Sequence, residues 1–445
     1  MAEKGKKVVI IGLGYVGLTL AAHMARSGFF VHGVEIRDEV LEPLKSGKAF
    51  FLEPGLDSLL GKVVAEGTFT FSKEIPPSED NRVFIITVGT PLRKDGTANI
   101  DFITRVSESV ASHLKDEDFV ILRSTVKLGT TNTVVKPILN QTNRTYGLAF
   151  CPERTLEGAA LSELGLLPQI IGTSNEVDKS KANSIFTELT STVVHVSSIE
   201  TAELIKLTDN MQRDVHFAIS NEVAKIGNVF EIDASEVITA GKLGYPRTNL
   251  AMPGPVGGPC LEKDTYLLNE SLGWDNSLSL AARKTNESII QDSIDFLIPT
   301  LKSFSDVCKD DDSTGIGFLG LAFKGVPETD DLRGSLGVTL LNELRKLFIN
   351  GSFSFYDPLI PNLKVNLGDI TKYNEIEEVF SRSQLVIITN NHPKFANLDL
   401  DALSAKMPKN SIVYDLWGRY QTMIDLNGNL RCSWGSLGKA RAISK

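Results

Sequence analysis

Residues 8–28 read VVIIGLGYVGLTLAAHMARSG and decide how the N-terminal part of the chain folds. The β-branched run at 8–11 is typical of a buried parallel strand, and the apolar residues after it recur at helical spacing. Gly28 closes this second stretch, as glycine often does at the end of a helix. Between the two, GLGYVG at 12–17 fits the pattern G-x-G-x-x-G. The stretch therefore predicts a strand, a tight turn and a helix, which together begin a dinucleotide-binding fold.

Each glycine of this turn has its own role in such a fold. Gly12 permits the tight turn, Gly14 lets a pyrophosphate approach the backbone, and Gly17 lets the helix pack closely on the strand. Glu35 follows about twenty residues later, where its carboxylate can accept hydrogen bonds from the adenosine ribose. Because that charge repels a 2′-phosphate, the sequence predicts NAD rather than NADP. The alternative is a structural turn followed by a surface glutamate.

Composition restricts the class of protein. A chain of 445 residues is too long for one ordinary core, and its 42% hydrophobic and 23% charged residues are typical of a globular protein. A net charge of −9 argues against a surface that coats nucleic acid, and no run reaches the ~20 apolar residues of a membrane span. The cysteines lack the spacing of a zinc site or a disulfide framework, which fits a reducing cytoplasm. They are Cys151, Cys260, Cys308 and Cys432.

The chain after the first helix continues to alternate strand and helix patterns. Further strands are predicted at 29–36, 82–91, 118–125, 148–153 and 168–173. Such alternation indicates a parallel sheet with helices on both faces and ligands at the carboxyl ends of its strands. The first 198 residues are therefore expected to form an N-terminal NAD-binding domain.

The pattern changes at residue 199. Residues 199–230 keep helical spacing without a proline, and 278–301 form a second long helical segment. The acidic cluster KDDDST at 309–314 is a candidate linker, and strand patterns resume after it at 315–323, 352–358, 384–392 and 411–417. The expected fold class is α/β, with two Rossmann-like doubly wound parallel-sheet domains joined by a central helical region with a long helix. The expected boundaries are 1–198, 199–308 and 309–445.

Polar residues follow several of these strands. TVGTP at 87–91 and RSTVKLGTT at 123–131 place hydroxyl groups at strand ends, which suits either ordinary turn chemistry or contact with a cofactor. Two such stretches after a glycine-rich turn favour cofactor contact. Glu153 and Arg154 also follow a strand, and they suit either a general base or a plain ion pair.

Two further sites pair a chemical interpretation with a plainer one. Lys206 and Asn210 lie four residues apart on one helix face, where a lysine is often simply solvated. Lys324 and Arg333 lie in loops after the first strand of the last domain, where two cations can hold phosphate or only add surface charge.

Cys260 lies in GPVGGPCLEKD, residues 254–264. The glycines before it allow a ligand to approach the backbone closely, and Lys263 and Asp264 follow within a few residues. Thiolates attack carbonyl groups, and nearby positive charge favours the thiolate form of cysteine. Cys260 is therefore the candidate nucleophile.

Together these motifs resemble the UDP-glucose/GDP-mannose dehydrogenase family, the nucleotide-sugar 6-dehydrogenases. They run in order over almost the whole chain as GLGYVGL, TVGTP, STV-x-x-GTT, CPER-x-x-EG, AELIKL-x-x-N, YPRTN, GGPCLEKD, LAFK and DDLRGS. The CPER form, with PRTN before the cysteine loop, is similar to the branch that acts on UDP-N-acetylhexosamines, especially UDP-N-acetyl-D-mannosamine.

The resemblance implies an NAD-dependent, two-step oxidation of the sugar C6 alcohol to a carboxylate. Cys260 would hold the sugar as a thiohemiacetal and then as a thioester, and two NAD⁺ would be consumed. Lys206 and Asn210 would stabilise the oxyanion. The catalytic residues implied are Cys260, Lys206, Asn210, Asp264, Glu153 and Thr125, of which Asp264 and Thr125 orient water and protons and Glu153 serves thioester hydrolysis.

The same resemblance implies two sets of binding residues. No metal and no nucleic-acid or membrane partner is expected. The cofactor-binding set is Gly12, Gly14, Tyr15, Val16, Gly17, Glu35, Thr90, Thr125, Lys263 and Arg333. The substrate-binding set is Arg154, Leu156, Lys206, Asn210, Arg247, Gly257, Phe323 and Lys324. Within them Lys324 would bind the UDP group, Arg333 would reach the NAD site, and Arg247 would come from the partner subunit of a homodimer formed through the central helices.

Other functions remain open at this stage. UDP-glucose and UDP-N-acetylglucosamine are the alternative substrates. A single-step 3-hydroxyacid dehydrogenase would share the fold elements and a helical lysine, but it would not need Cys260 and would release one NADH per turnover. A catalytically idle NAD- or nucleotide-sensing protein would keep GLGYVG without needing Cys260, Lys206, Asn210 and Asp264 together.

Overall fold

The computed structural model describes residues 6–303, 314–360, 367–409, 411–418, 420 and 433–438. Cys308, Cys432 and all but the last residue of the KDDDST cluster lie outside this range. The chain divides into two compact units, of which the first comprises 1–210 and 263–275 and the second 211–262 and 276–445.

The first unit is built on a sheet with the strand order β3-β2-β1-β4-β5-β6-β7-β8, which accounts for eight strands among residues 6–303. β1 pairs in parallel with β2 on one side and β4 on the other, so the strand order reverses at β1. In such sheets ligands bind at the carboxyl ends of the strands beside the reversal. The strands are β1 (Lys7–Ile11), β2 (Phe30–Val34), β3 (Phe69–Ser72), β4 (Val83–Ile86), β5 (Asp118–Leu122), β6 (Tyr146–Phe150), β7 (Gln169–Thr173) and β8 (Val193–Val196).

One pairing differs from the expected parallel pattern. β7 runs antiparallel to β6, with Ala149 opposite Thr173 and Phe150 opposite Gly172. A parallel return needs a crossover that spans the sheet, usually with a helix. The connection from β6 to β7 contains only the four-residue helix Ala160–Glu163, and the chain turns back instead.

Helices cover both faces of this sheet. Because successive strand residues point to opposite faces, Val8 and Ile10 join the apolar cluster that contains Leu18 of the first helix, while Val9 and Ile11 join the cluster that contains Ile103. The helices of this unit are α1 (Tyr15–Arg26), α2 (Asp38–Leu44), α3 (Leu56–Ala65), α4 (Asp101–His113), α5 (Lys136–Asn140), α6 (Ala160–Glu163) and α7 (Glu176–Phe186), with a π-helical segment, Thr131–Val135, before α5.

Four helices form the central part of the chain. They are α8 (Ile199–Phe230), α9 (Ala234–Lys242), α10 (Leu261–Leu272) and α11 (Leu278–Ser303). α8 is 32 residues long, as its unbroken helical spacing predicted. Within the described residues, no helix combines the length and the apolar character needed to cross a membrane.

The second unit contains a parallel sheet with the order β11-β10-β9-β12-β13-β14, in the part of the chain that the structure describes. Its first strand again lies between two neighbours, because β9 pairs with β10 and β12. The strands are β9 (Gly315–Leu319), β10 (Ser352–Tyr356), β11 (Thr371–Lys372), β12 (Leu385–Ile388), β13 (Ile412–Asp415) and β14 (Ser433–Ser436). The remaining helices are α12 (Leu336–Leu347), α13 (Ile376–Ser381) and α14 (Leu400–Ser404), with a 3₁₀ turn at Pro393–Phe395.

The predicted α/β class, with two doubly wound sheets and a central helical region, is therefore confirmed. The β1–α1 turn that led to it is shaped by its glycines. Gly12 has φ +95°, and a Cβ there would lie 2.9 Å from Val88 Cγ1. A Cβ on Gly17 would lie far inside van der Waals contact with the carbonyl oxygen of Gly12, whereas no heavy atom lies within 4 Å of the Cβ position of Gly14.

This contrast predicts different outcomes for two neighbouring substitutions. Gly17→Ala is expected to destabilise the first unit by about 1–3 kcal/mol, because its methyl group has no space between α1 and the turn. Gly14→Ala is the matched control and is expected to cost less than about 1 kcal/mol, since its φ of −69° suits alanine and its surroundings are open. Thermal unfolding of both variants tests this, and equal losses would contradict it.

Candidate active site

The turn between β1 and α1 offers a place for a dinucleotide. Gly14 precedes the first residue of α1, and the open space over it lies at the N-terminal end of that helix, which favours a phosphate group. Tyr15 begins α1 with its ring stacked on Phe51 at a centroid distance of 4.0 Å, and Val16 follows it, half-buried. The geometry of this turn therefore fits the pyrophosphate of a dinucleotide.

Glu35 lies beside the turn, directly after β2, and is buried. Its Oε2 accepts a hydrogen bond from the backbone N–H of Leu13 at 3.1 Å, and Arg37 forms an ion pair with the same carboxylate. Burial alone would raise the pKa of Glu35, but hydrogen bonds and charge from Arg37, together with the N–H of Leu13, lower it on balance. Glu35 is thus an ionised carboxylate at the predicted ribose position.

Five of the predicted site residues form one hydrogen-bonded network in the first unit. Thr90 Oγ1 donates to the carbonyl oxygen of Thr125 at 2.5 Å, which joins the two hydroxyl-rich strand ends. Lys263 Nζ donates to Thr90 Oγ1 at 3.4 Å and to Asp264 Oδ1 at 2.7 Å. Asp264 Oδ2 in turn accepts from Asn210 Nδ2 at 2.5 Å. Residues from four separate stretches of sequence therefore meet at the carboxyl end of the sheet.

Glu153 is held by a different set of contacts. Arg123 donates to its Oε2 through Nε at 3.0 Å and through Nη2, and both side chains are almost fully buried. Oε1 accepts from the backbone N–H groups of Arg154 at 2.8 Å and Thr155 at 2.9 Å. Four donors occupy the four lone-pair positions of this carboxylate. To take a proton from water, Glu153 would have to exchange one of them.

The charges around Glu153 also decide its protonation. Burial alone would raise its pKa, but the Arg123 charge, the N–H of Thr155 and the charge of Lys206 outweigh burial and lower it. Glu153 is therefore ionised at neutral pH. The ion pair considered from the sequence does exist, but its partner is Arg123 and not the adjacent Arg154.

Arg154 and Leu156 lie on the loop that follows Glu153. Arg154 Nε donates to Asp209 Oδ2 of α8 at 2.8 Å, and the backbone N–H of Leu156 donates to Glu163 Oε2 at 2.6 Å. Lys206, also on α8, is half-buried and close enough to Glu153 to affect its pKa.

Two buried glutamates that the sequence analysis missed hold these loops in place. Glu53 accepts from the backbone N–H groups of Gly158 at 2.8 Å and Leu161 at 3.1 Å, which fixes the loop after β6. Glu203 of α8 accepts from the N–H groups of Gly129 at 2.6 Å and Thr131 at 3.0 Å, and burial raises its pKa. Glu203 lies within the AELIKL motif, one turn before Lys206. That position was the sequence signal that could have identified it.

In the second unit, Cys260 directly precedes the first residue of α10, and its side chain is exposed. The N-terminal end of a helix offers unpaired N–H groups and partial positive charge to a group at this position. Cys151, by contrast, is fully buried, and burial raises the pKa of its thiol to about 12. Of the two cysteines in the described residues, only Cys260 is accessible to a substrate.

Two of the glycines before Cys260 have a packing role in addition to the ligand approach expected from the sequence. A Cβ on Gly257 would collide with the carbonyl oxygen of Gly334, and a Cβ on Gly258, whose φ is +96°, would lie 2.7 Å from the Phe323 ring. The N–H of Gly258 donates to the Gly334 carbonyl oxygen at 2.8 Å. At these two positions the missing side chains make room for the DDLRGS and LAFK loops of the same unit.

Buried polar side chains support the beginning of this loop. Asn221 of α8 exchanges hydrogen bonds with the backbone of Gly254, at 2.9 and 3.1 Å, and also donates to Asn286 of α11 at 2.9 Å. Arg283 of α11 is fully buried, donates to the carbonyl oxygen of Val256 at 2.7 Å and pairs with Asp214 of α8 at 3.1 Å. The cysteine loop is thus fixed at two points to a pair of long helices.

The remaining predicted residues of the second unit lie in loops. Lys324 Nζ lies 5.2 Å from the centroid of the Phe323 ring, and the N–H of Phe323 donates to the carbonyl oxygen of Asp331. Arg333 pairs with Asp331 through Nε and Nη2, at 2.7–3.0 Å. Arg247 follows α9, is exposed, and donates to the Tyr245 hydroxyl at 2.9 Å. The LAFK and DDLRGS loops are therefore neighbours.

Fold and site together define a dinucleotide-dependent oxidoreductase with an accessible cysteine. Three segments match the domains of one family, the UDP-glucose/GDP-mannose dehydrogenase family: its NAD binding domain at 6–190, its central domain at 200–288 and its UDP binding domain at 317–422.

Individual relatives agree with this match. The chain is 30% identical to UDP-N-acetyl-D-mannosamine dehydrogenase of Pyrococcus horikoshii over 92% of its own length and 94% of that protein. It is 27% identical to NDP-N-acetyl-D-galactosaminuronic acid dehydrogenase of Ralstonia solanacearum over 90% and 94%. The solved structure of the Pyrococcus horikoshii enzyme superposes with a TM-score of 0.85 and covers 98% of this chain and 99% of that one, at 28% identity. The chain belongs to the UDP-glucose/GDP-mannose dehydrogenase family, and it is an NAD-dependent nucleotide-sugar dehydrogenase.

The Arg123–Glu153 pair generates a pH-dependent prediction. Glu153→Gln is expected to lower the free energy of unfolding by about 3 kcal/mol at neutral pH, because it leaves Arg123 buried without an opposite charge. Since the pKa of Glu153 is lowered by folding, its stabilising effect is complete above the pKa of an unfolded glutamate, about 4.3, and is lost as the pH falls through the folded value.

Urea unfolding of the unmodified chain and of Glu153→Gln between about pH 3 and pH 7 measures this effect. The difference between the two should be largest at neutral pH and shrink below about pH 4. Glu176→Gln, at an exposed position on α7, is the control and should show almost no difference. A Glu153→Gln loss that is equal at both ends of the range would contradict the assignment.

Proposed function

We propose that this chain oxidises the C6 alcohol of a UDP-N-acetylhexosamine, most specifically UDP-N-acetyl-D-mannosamine, to the uronic acid. The observation that carries the proposal is the position of Cys260, an exposed thiol one residue before α10. Lys263 and Asp264, three and four residues further along the chain, belong to the hydrogen-bonded network of Asn210, Thr90 and Thr125. The CPER and PRTN motifs and the relatives that act on N-acetylated nucleotide sugars support the choice of substrate.

In the proposed reaction Cys260 retains the sugar between two oxidations. NAD⁺, held by the glycine turn at 12–17 and by Glu35, would supply the hydride acceptor for both oxidations. In the first, the C6 alcohol gives up a hydride and its hydroxyl proton, which leaves an aldehyde. After the first, the Cys260 sulfur forms a bond to the aldehyde carbon and the oxygen takes up a proton, which gives a thiohemiacetal. Loss of the second hydride and of that proton gives a thioester. Water then adds to the carbonyl carbon, the C–S bond breaks, and the carboxylate and the free thiol are released.

Lys206 and Asn210 are proposed to stabilise the negative oxygen in these steps. Both lie on one face of α8, one turn apart, and both can donate hydrogen bonds. Asn210 is held in place by Asp264, which fixes the orientation of its amide group. A preoriented donor costs little reorganisation when the charge develops.

Asp264 is proposed to orient the attacking water together with Thr125. Within the described residues it accepts hydrogen bonds from Asn210 and Lys263, which leaves part of its lone-pair capacity for a water molecule. Glu153 has no such capacity, so we propose that it chiefly positions the loop carrying Arg154 and Leu156. That loop, with Gly257, Phe323 and Lys324, is proposed to bind the UDP-sugar, and Arg333 to reach the cofactor.

UDP-glucose and UDP-N-acetylglucosamine are the alternative substrates. The relative from Ralstonia solanacearum favours keeping an N-acetylated galacto-configured sugar among the candidates. NADH release from each of these UDP-sugars, and from GDP-mannose, compares them directly. The highest kcat/KM for UDP-glucose would reject the proposed N-acetylhexosamine.

The cysteine mechanism predicts the effect of removing one thiol. Cys260→Ala should abolish acid formation while NAD and UDP-sugar binding remain, because only the covalent step is lost. Cys151→Ala is the matched control and should retain activity, since its thiol is buried.

The unmodified enzyme should release two NADH per sugar consumed. NADH is measured by its absorbance, and the acid product is quantified by chromatography. A ratio of one, or near-normal acid formation by Cys260→Ala, would reject the covalent route.

We also propose a homodimer formed through the central helices. Apolar side chains on α8 stay exposed at Ile219, Ile226, Val229 and Phe230, with exposures of 46–75%, and their spacing places them along one side of the helix. Val237 on α9 is likewise exposed. Exposed apolar side chains along one side of a helix are typical of an interface.

The dimer predicts two results. Ile226→Asp combined with Phe230→Asp should give a monomer in sedimentation velocity, because the charges would be buried at the interface. Val177→Asp, at an apolar α7 position that is 65% exposed, is the control and should leave the assembly unchanged. If the double variant sediments as the unmodified protein does, the interface lies elsewhere.

Arg247 can be tested for action across that interface. Arg247→Ala and Cys260→Ala subunits should each be inactive alone, but mixed by unfolding and refolding they should regain about a quarter of full activity. Half of the dimers are then hybrids, and one of their two sites has both an intact Cys260 and an Arg247 from the partner. Absence of any recovery would place Arg247 in its own subunit's site.

Two further assignments stay proposals. We propose that the regions 1–198, 199–308 and 309–445 act as the cofactor, central and UDP-sugar domains, which the three family segments support. We propose a cytoplasmic location, which the unpaired thiols of Cys151 and Cys260 support.

A further inference from the structure

The carboxylate expected to bind the cofactor ribose is already occupied by the chain itself. Glu35 Oε1 accepts from the backbone N–H groups of Ile36 at 3.0 Å and Arg37 at 3.1 Å, and from Arg37 Nε at 3.1 Å. Oε2 accepts from the N–H of Leu13 and from Arg37 Nη2, both at 3.1 Å. A carboxylate offers about four lone-pair positions. The two ribose hydroxyls can therefore bind Glu35 only if one of these donors leaves.

The guanidinium of Arg37 is the donor that can leave. The three N–H groups belong to the backbone of the β1–α1 turn and of the segment after β2, so they cannot move without disturbing both. The Arg37 side chain is 45% exposed, and two of its contacts are long, at 5.5 Å from the Phe50 ring centroid and 3.6 Å from Glu39 Oε1. Its movement away from Glu35 exposes the carboxylate and breaks an ion pair whose arginine is partly solvated.

This arrangement changes the charge that a cofactor meets. Glu35 alone repels a 2′-phosphate, but the paired Arg37 cancels that charge and presents a planar fork that binds phosphate well. NAD⁺ must compete with the guanidinium for Glu35. NADP⁺ can leave the pair intact and place its 2′-phosphate against the guanidinium.

We infer that Arg37 sets the choice of cofactor: it lets this enzyme bind NADP⁺ as well as NAD⁺, and it weakens the binding of NAD⁺ by occupying Glu35. Glu35 on its own predicted exclusion of NADP⁺. The two effects of Arg37 are opposite in sign for the two cofactors, so they can be separated from any general loss of structure. The inference concerns cofactor binding and does not depend on which sugar is oxidised.

Isothermal titration calorimetry of the unmodified enzyme, Arg37→Gln and Arg144→Gln with NAD⁺ and with NADP⁺ tests the inference. Arg144 is a matched control, because it is similarly exposed and paired with Asp116 but precedes the amino end of β6, whereas Glu35 follows the carboxyl end of β2. The unmodified enzyme should bind both cofactors with Kd values within roughly tenfold of each other. Arg37→Gln should raise the Kd for NADP⁺ about tenfold or more and should leave that for NAD⁺ equal or lower. Arg144→Gln should change neither.

Salt dependence and a second variant complete the test. NADP⁺ binding to the unmodified enzyme should weaken more steeply with ionic strength than NAD⁺ binding, and this difference should vanish in Arg37→Gln. Glu35→Gln should reverse the pattern by strengthening NADP⁺ and weakening NAD⁺ binding. The inference is overturned if the unmodified enzyme does not bind NADP⁺, if Arg37→Gln weakens both cofactors equally, or if Glu35→Gln leaves their ratio unchanged.

Discussion

The buried carboxylate of Asp264 connects the parts of the first unit on which the site depends. It accepts a hydrogen bond from Asn210 of α8 and another from Lys263, which in turn reaches Thr90 and through it the end of β5 at Thr125. Asn210 and Asp264 lie 54 residues apart in the chain. A charge buried this deeply is stable only when it is paired and hydrogen-bonded. The need to satisfy Asp264 therefore holds a strand-end loop and two helices in one arrangement.

Two buried carboxylates in this unit differ in the number of hydrogen bonds that they accept. Glu153 and Asp264 are both buried, but Glu153 receives four hydrogen bonds and Asp264 receives two within the described residues. The first therefore behaves as part of the framework, and the second keeps the capacity to contact water or substrate. Chemical roles in the site are thus decided by the local supply of N–H groups more than by residue type.

Local patterns predicted the elements that depend on local physics. The β1–α1 turn follows from its glycines, and α8 follows from 32 residues without a proline or a turn signal. The antiparallel β7 was not predictable, because strand direction depends on the path of the preceding connection and not on the strand's own residues. β3, β8, β11 and β14 were missed because each is an edge strand of at most four residues, which is too short for its pattern to be distinctive.

The site shows the same division between local and tertiary effects. Cys260, Lys206, Asn210 and Asp264 were recognised by type and spacing, whereas Arg123 was overlooked within a motif chosen for its hydroxyl groups. Its partner lies 30 residues away, and only the packing of β5 against β6 brings them together. The close packing of Gly257 and Gly258 against neighbouring loops could not be predicted for the same reason, because no sequence pattern indicates which distant segment packs against a residue.

The support of the cysteine loop has a consequence for how the chain can change. Arg283 and Asn286 both contact α8 from one face of α11, where their partners are Asp214 and Asn221. They share this face because they lie three residues apart. A helix turns about 100° per residue. A single residue inserted between Arg283 and Asn286 would rotate one of them off this face. The cysteine loop would then lose a support, because Arg283 binds the backbone of Val256 and Asn286 contacts the Asn221 that binds Gly254. Point replacements at the intervening positions leave the register intact, so this helix tolerates new side chains far more readily than a new length.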